Sequence, residues 1–210
     1  MMIKENQQAF KATLVNFIGY IDDPLFAQTK ATWDSFRVSR IRSSQNNLLS
    51  AENSKFADES CLQFFSPPNI RRFISLFWDE WYPHCPIIHR AAFDILCAPA
   101  ILLVPMAIIG ACMSPHAGEV SLAKKWLEFG EELVFSSTIL SAEPAERDVS
   151  ETDVPPLKIL QAAYIICILL NWEGSDTMKR RVRNHRFAAV VSVGNRDSIG
   201  SCSCLADTVL

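Results

Sequence analysis

Glycine is scarce in this sequence, and neither sign of charge dominates it. Only seven of the 210 residues are glycine, and the chain contains no Gly-rich phosphate-binding motif, no G-x-S-x-G and no H-E-x-x-H. The formal net charge of −3 gives no general reason to expect nucleic-acid binding. These absences disfavour nucleotide-binding loops, hydrolases built on a nucleophile elbow and zinc peptidases.

Disulfide patterning is lacking as well. The cysteines are odd in number and irregularly spaced, at Cys61, Cys85, Cys97, Cys112, Cys167, Cys202 and Cys204. Several of them stand inside apolar runs, which predicts reduced and buried thiols in a cytosolic or nuclear protein. The N-terminal sequence MMIKENQQAF lacks the continuous apolar core of a secretory signal.

Alternating apolar and polar runs of strand length are absent, whereas helical spacing is frequent, so the chain is predicted to be all-α. The clearest helix begins at Ser66, a suitable N-cap that is followed by two prolines. Apolar residues then recur at steps of three and four, namely Ile70, Phe73, Ile74, Phe77, Trp78 and Trp81. This pattern predicts an amphipathic helix that ends before Pro83.

Other helices are predicted from apolar spacing over residues 3–20, 91–97, 99–113, 119–135, 157–172 and 177–193. Ser175 or Asp176 is the expected cap of the last one. Residues 38–60 are polar and rich in Ser and Asn, which predicts a loop or linker.

Composition divides the chain into three parts. Residues 1–59 are predicted to hold an N-terminal helix and a polar linker, and residues 60–193 an irregular multi-helix domain. An acidic linker, 143–154, lies within that domain. Residues 194–210 change abruptly to small and polar residues and are predicted to be a disordered tail.

One uncharged run, residues 95–115, is long enough to span a membrane. Three prolines interrupt it, at Pro99, Pro105 and Pro115, and no cluster of Lys or Arg flanks it. A buried helix in a large core is therefore favoured, and a helical membrane-associated protein is the alternative.

The stretch WYPHCPIIHR concentrates residues that bind metals, because it contains His84, Cys85 and His89. A structural zinc site needs four ligands, and no fourth ligand stands at a usual spacing. The competing interpretation is a structural connection between helices, extended by its two prolines and anchored in the core by Ile87 and Ile88. That interpretation is favoured, and no metal site is predicted.

A Cys–His nucleophile pair is the catalytic alternative for the same stretch. Cys85 would work with His89 or His116. No orienting third group and no oxyanion hole can be identified, so a thiol-dependent hydrolase is a weaker hypothesis.

The segment MKRRVRNHRF carries a possible basic patch, formed by Lys179, Arg180, Arg181, Arg183 and Arg186. Such a patch binds phosphates or serves nuclear import. The favoured interpretation is a solvated helix face. An inner stripe at helical spacing supports it, formed by Met178, Val182, His185, Ala189 and Val193.

Taken in order, these blocks resemble a known family. FFSPPNIRRFISLFWDEWYPHCPIIHRAAFD is similar to the start of the fungal-specific transcription factor domain, the middle region of many fungal zinc-finger regulators. The family's motif falls on Trp81, Pro83, His84, Pro86, Ile88, His89, Arg90 and Phe93. The run AILLVPMAIIGA resembles the family's apolar helix, which ends in a Gly-Ala pair, here Gly110 and Ala111. The resemblance covers about residues 60–193.

The resemblance implies an all-α regulatory region of a nuclear transcription factor, not an enzyme. Such a region modulates transcription by RNA polymerase II through contacts with protein partners of the transcription machinery, and a homodimer is left open. No cofactor and no membrane are expected. Zinc-dependent DNA binding would come from a region missing from this chain. Within the motif, His89 is expected to tie neighbouring helices by hydrogen bonds.

The chain departs from the family in three ways. No zinc-binding region can be assembled from its cysteines. Ala91 and Ala92 replace the Pro-Thr that the family often has before Phe93. The family domain continues beyond Val193, so the domain is expected to be incomplete here.

Overall fold

The computed structural model describes residues 19–44, 51–141 and 154–194. Within these ranges the chain consists of helices and turns and contains no strand, which confirms the all-α prediction. The predicted helix over 3–20, the acidic linker and the tail lie almost entirely outside the described residues. The division of the chain at residues 59 and 193 stays a prediction.

Two helices occupy the polar N-terminal stretch. Helix α1 spans Phe26–Ser44 and helix α2 spans Ala51–Phe64, so the loop predicted over 38–60 is wrong for residues 38–44 and 51–60, and its residues 45–50 lie outside the described ranges. Arg40 of α1 pairs with Asp58 of α2, with 3.2 Å between Nη1 and Oδ1. The hydroxyl of Thr29 donates to the carbonyl of Phe65 at 2.8 Å. Apolar residues are too sparse here to show a clear pattern, and these helices depend on contacts with the rest of the fold.

An aromatic cluster joins this N-terminal pair to the rest of the core. The ring of Phe36 lies edge-to-face against Trp126 and Phe129, at centroid distances of 5.3 and 5.2 Å. Phe65 approaches the same tryptophan at 5.5 Å. Edge-to-face pairs of this kind add stability beyond the burial of apolar area.

The predicted amphipathic helix is confirmed. Helix α3 spans Pro67–Leu76 and continues through a π-helical turn, Phe77–Trp81, and a 3-10 turn, Tyr82–His84. All six residues of the predicted inner face are buried. Ser66 has the extended backbone of an N-cap, although its side chain accepts no hydrogen bond from the first turn.

Helix α4, Ala100–Cys112, lies at the centre of the core, and its residues 102–111 are all buried. It packs against α3 and against three later helices, α5 (Ala117–Lys124), α6 (Leu127–Phe135) and α8 (Pro156–Glu173). Burial on all sides accounts for the uncharged stretch 102–111, whereas Leu96 and Cys97, earlier in the run 95–115, are exposed. In the described parts of the chain, no helix is both long and apolar enough to cross a bilayer.

The predicted helix over 91–97 is wrong. Only a 3-10 turn forms there, at Arg90–Ala92. Next, the carboxylate of Asp94 accepts the backbone N–H of Leu96 at 2.9 Å. Aspartate favours such a local turn over helix because its side chain competes for backbone hydrogen bonds.

The single helix predicted over 119–135 is broken into α5 and α6. The break falls at Lys125 and Trp126, where the backbone forms a turn. Trp126 is 8% exposed because the turn directs its ring into the aromatic cluster. A short helix α7, Thr138–Ser141, follows α6.

The last two helices agree with their predicted positions. Helix α8 covers the predicted 157–172, and helix α9 begins as Asp176–Arg181, passes through a π-helical turn, Val182–Arg186, and is helical through residue 194, the last residue described. Ser175 is the cap, since its hydroxyl accepts the N–H of Met178 at 3.4 Å. Met178, Val182 and Val193 of the predicted inner stripe are buried, whereas His185 is exposed.

Candidate functional site

The WYPHCPIIHR connection leaves most of its polar residues on the surface. Trp81 is buried and stacks on Phe77, with ring centroids 4.9 Å apart. Ile88 is buried and Ile87 is half-buried, in agreement with their predicted anchoring role. Phe93 is half-buried. The remaining residues of the predicted motif are exposed: Pro83, His84, Pro86, His89 and Arg90.

The second half of the motif packs on the π-helical turn of α3. The guanidinium of Arg90 lies 5.5 Å from the ring centroid of Trp78, and its Nη2 is 3.6 Å from the carboxylate of Asp79. Phe93 meets the same tryptophan at 5.3 Å. These contacts are structural, because they close the connection back onto the helix that precedes it.

His89 does not tie the helices together, so that expectation is wrong. Its side chain is exposed, and its ring makes no hydrogen bond with any described residue. Gln161 of α8 has this role, because its Nε2 donates to the carbonyl of Ile87 at 2.8 Å. Sequence reasoning missed Gln161, since a lone glutamine in an apolar helix gives no sign of its partner.

No metal-binding or nucleophilic arrangement is evident at this connection. Within the described ranges, no three His, Cys, Asp or Glu side chains come together closely enough to hold a metal ion. Burial raises the pKa of the Cys85 thiol, and a hydrogen bond with Tyr164 opposes this only in part. Because the thiolate is the reactive form, this environment disfavours the thiol-dependent hydrolase.

Alkylation of the folded chain is expected to distinguish the cysteines by burial. Burial raises the pKa of Cys112 and of Cys167 to about 12, and Cys61 is fully buried with a pKa raised well above its usual value. A hydrogen bond with Asp94 also raises the pKa of Cys97, but this thiol is exposed. With iodoacetamide at neutral pH, peptide mapping by mass spectrometry should therefore find the other three thiols unmodified and Cys97 modified, because Cys97 alone of the four is exposed to the reagent. Rapid and selective modification of Cys85 would revive the hydrolase hypothesis.

Removal of the Gln161 amide is expected to loosen the connection. Gln161→Ala should lower the free energy of unfolding by about 1 kcal/mol, the usual contribution of one such hydrogen bond. Hydrogen exchange should also become faster in the connection. Asn171→Ala is the matched control, because Asn171 is exposed on the same helix, and it should change stability by less than about 0.5 kcal/mol. Equal effects of the two substitutions would contradict the role of Gln161.

The predicted basic patch is divided between two faces of α9. Arg181 and Arg186 point to the carboxylate of Glu131 on α6, whose side chain is only 2% exposed. Arg181 binds it through two hydrogen bonds, Nε to Oε1 at 2.7 Å and Nη2 to Oε2 at 2.6 Å. Arg186 adds a third, Nε to Oε1 at 2.9 Å, and its guanidinium lies 4.6 Å from the ring centroid of Phe135.

The π-helical turn of α9 explains how both arginines reach one carboxylate. Residues five apart are separated by about 140° around a regular α-helix, so Arg181 and Arg186 would face different directions. In the turn Val182–Arg186, the N–H of Phe187 instead bonds to the carbonyl of Val182, five residues back. This wider turn brings residues five apart onto the same face.

Sequence reasoning also missed Glu131, although a signal was present. Leu127, Glu131 and Val134 stand at i, i+4 and i+7, so the helical period places this glutamate among apolar residues. A buried carboxylate requires a cationic partner, and a basic helix lies elsewhere in the same chain. The helical period predicts that Glu131 is buried, but it cannot predict which arginines bind its carboxylate.

The remaining cations of the patch face outward. Arg180 and Arg183 are exposed and Lys179 is half-buried. Arg180, Arg183, Asp176 and Asn184 line a shallow surface cavity of about 310 Å³. This outward half is the part of the patch that is accessible to a ligand or partner.

Comparison with known proteins agrees with the resemblance read from the sequence. Residues 74–190 match the family model of the fungal-specific transcription factor domain. The chain is 35% identical over 193 residues to transcription factor verF of Penicillium polonicum, an alignment that covers 91% of this chain and 26% of that protein. The chain thus spans about a quarter of the length of this curated relative. No solved structure matches the chain. Because the family model covers more than half of its residues, the chain belongs to the fungal-specific transcription factor domain family.

Proposed function

We propose that this chain is a regulatory domain of a fungal nuclear transcription factor, and that it modulates transcription by RNA polymerase II through contacts with other proteins. The match over residues 74–190 carries this proposal. A relative that is named as a transcription factor supports it. Zinc-dependent DNA binding belongs, in this proposal, to a region outside this chain.

The surface of the described domain favours protein contacts over DNA contacts. Arg181 and Arg186 are engaged by the buried Glu131, so they are not available to phosphates. The net charge of the chain is −3, which offers no general attraction to a polyanion. Tight binding to DNA usually neutralises about 6–10 phosphates, more than the outward cations of α9 can supply.

A tethering experiment tests this function. The chain is fused to a heterologous DNA-binding domain in a fungal nucleus, and expression of a reporter gene is compared with that of the DNA-binding domain alone. A severalfold change in either direction is expected. A Gly110→Ala fusion, in which the α3–α4 contact is disrupted, serves as the control and should lose the effect. An intact fusion that leaves the reporter unchanged would contradict the proposal.

A further inference from the structure

The outward face of α9 combines cations with exposed apolar side chains. Arg180, Arg183 and Asn184 line one surface cavity, and Phe187 and Val191 follow them along the same helix, beyond its π-helical turn. Phe187 is 52% exposed and Val191 is 43% exposed. We call these five residues the outward face of α9. A surface that offers both cations and exposed apolar side chains can select a partner more specifically than a purely polar surface can.

The guanidinium groups of this face are available to an external carboxylate. Among the described residues, Arg180 makes no hydrogen bond or ion pair. Arg183 donates its Nε to the carbonyl of Lys179 at 3.2 Å, and its terminal nitrogens make no hydrogen bond with any described residue. Asp176 lines the same cavity and pairs with neither arginine.

The helix that carries this face is held in place from its other side. Arg181 and Arg186 fix α9 to the buried carboxylate of Glu131, and Met178 and Val182 are buried beneath it. Binding at the outward face therefore does not require the helix to be ordered first, and this reduces the entropic cost of binding.

We propose that the outward face of α9 binds an acidic peptide segment of a partner protein. Carboxylates of the peptide pair with Arg180 and Arg183, whose planar guanidinium groups suit bidentate binding of carboxylate. An apolar side chain of the same peptide covers Phe187 and Val191. The proposal rests on the proposed function, because it specifies which kind of protein contact the regulatory domain makes.

Nucleic acid suits this face less well. Phe187 and Val191 offer nothing to a phosphate backbone, and the face supplies only two guanidinium groups that are free of ion pairs with the described residues. An acidic peptide with apolar side chains is complementary to both halves of the face. DNA is therefore an alternative that the binding experiment must include.

Fluorescence anisotropy with the whole chain tests the proposal. The probe is a labelled peptide of alternating aspartate and leucine, and the comparison peptide has asparagine in place of aspartate. The double substitution Arg180→Glu with Arg183→Glu should weaken binding of the aspartate peptide at least about tenfold, because two attractive charge pairs become repulsive. Phe187→Ser should weaken it severalfold, and added salt should weaken it further.

Matched variants control for general effects of charge and hydrophobicity. Lys125→Glu reverses an exposed charge at the break between α5 and α6, and Leu122→Ser removes an apolar side chain that is 48% exposed on α5. Both should leave peptide binding unchanged, and circular dichroism should show that all variants are folded.

Three results would overturn the docking proposal. The first is equal affinity for the asparagine and aspartate peptides. The second is a loss of binding in Lys125→Glu as large as that of the α9 charge reversal. The third is tighter binding of a DNA duplex than of the peptide at the outward face. The tethering experiment separates the two proposals. A tethered chain that alters the reporter but binds no peptide refutes the docking face alone, whereas peptide binding without any reporter effect refutes the regulatory function.

Discussion

Replacement of Gly110 by alanine is expected to destabilise the fold by at least about 2 kcal/mol. A methyl group at this position would overlap the carbonyl oxygen of Phe73 and lie 3.2 Å from the backbone nitrogen of Phe77. These are main-chain atoms of α3 and its π-helical turn, so no side chain can rotate away to make room. Helices α3 and α4 would have to separate. Alanine has a higher helix propensity than glycine by about 1 kcal/mol, so the steric cost of the overlap must be larger than this gain.

The opposite sign is expected for Gly118→Ala on α5. A methyl group added there meets no atom within 4 Å, so only the helix preference of alanine remains. This variant should be more stable than the wild type by about 0.5–1 kcal/mol. Urea unfolding followed by circular dichroism measures both free energies. If both variants change the free energy of unfolding in the same direction, the close contact between α3 and α4 is not the reason for glycine at position 110.

Replacement of Glu131 by alanine is expected to destabilise the fold by about 3 kcal/mol, at the lower end of the range for breaking a buried ion pair. The substitution leaves Arg181 and Arg186 without their partner and opens a void at a side chain that is 2% exposed. The lower end applies because the two arginine side chains are 41% and 32% exposed, so water can solvate them in part. The rate of amide hydrogen exchange should increase most in α9, because these bonds attach that helix to α6.

The two arginines should not be equivalent in this test. Arg181 makes two of the three hydrogen bonds to Glu131, so Arg181→Ala should destabilise more than Arg186→Ala. Glu80→Ala is the matched control, because Glu80 is an exposed acid on the π-helical turn of α3, away from this pair, and it should change stability by less than about 0.5 kcal/mol. If Glu131→Ala is as mild as this control, the buried pair does not stabilise the domain.

Helices with a continuous apolar stripe could be predicted from the sequence, and those without one could not. The periods of α3 and α8 repeat over many residues, and both helices lie where they were predicted. The loop predicted over 38–60 overlaps the end of α1 and most of α2, because Ser, Asn and charged residues outnumber the apolar positions there. The helical state of α1 and α2 depends on the aromatic cluster, in which Phe36 meets Trp126 from a distant part of the chain. A local pattern contains no information about such a contact.

Interruptions of helices were also decided by tertiary contacts. The spacing of residues 119–135 is compatible with one helix. The chain instead forms a turn between α5 and α6, and this turn allows the ring of Trp126 to be buried. The motif around WYPHCPIIHR was correctly interpreted as a connection anchored by Ile88. Its hydrogen-bond anchor is nevertheless Gln161, which is distant in sequence, and not the nearby His89.

By itself, the sequence determined the all-α class, the apolar helix α4 and the family, because apolar spacing and the order of motifs are properties of the chain alone. Only the tertiary structure decided what the basic segment does. Five cations within eight residues look equivalent in the sequence. The π-helical turn changes their directions, so that Arg181 and Arg186 reach Glu131 while Arg180 and Arg183 face outward. The physical reason is the desolvation of Glu131: a carboxylate buried on α6 is stable only with cationic partners, and the helix turn that supplies two of them is wider than an α-helical one.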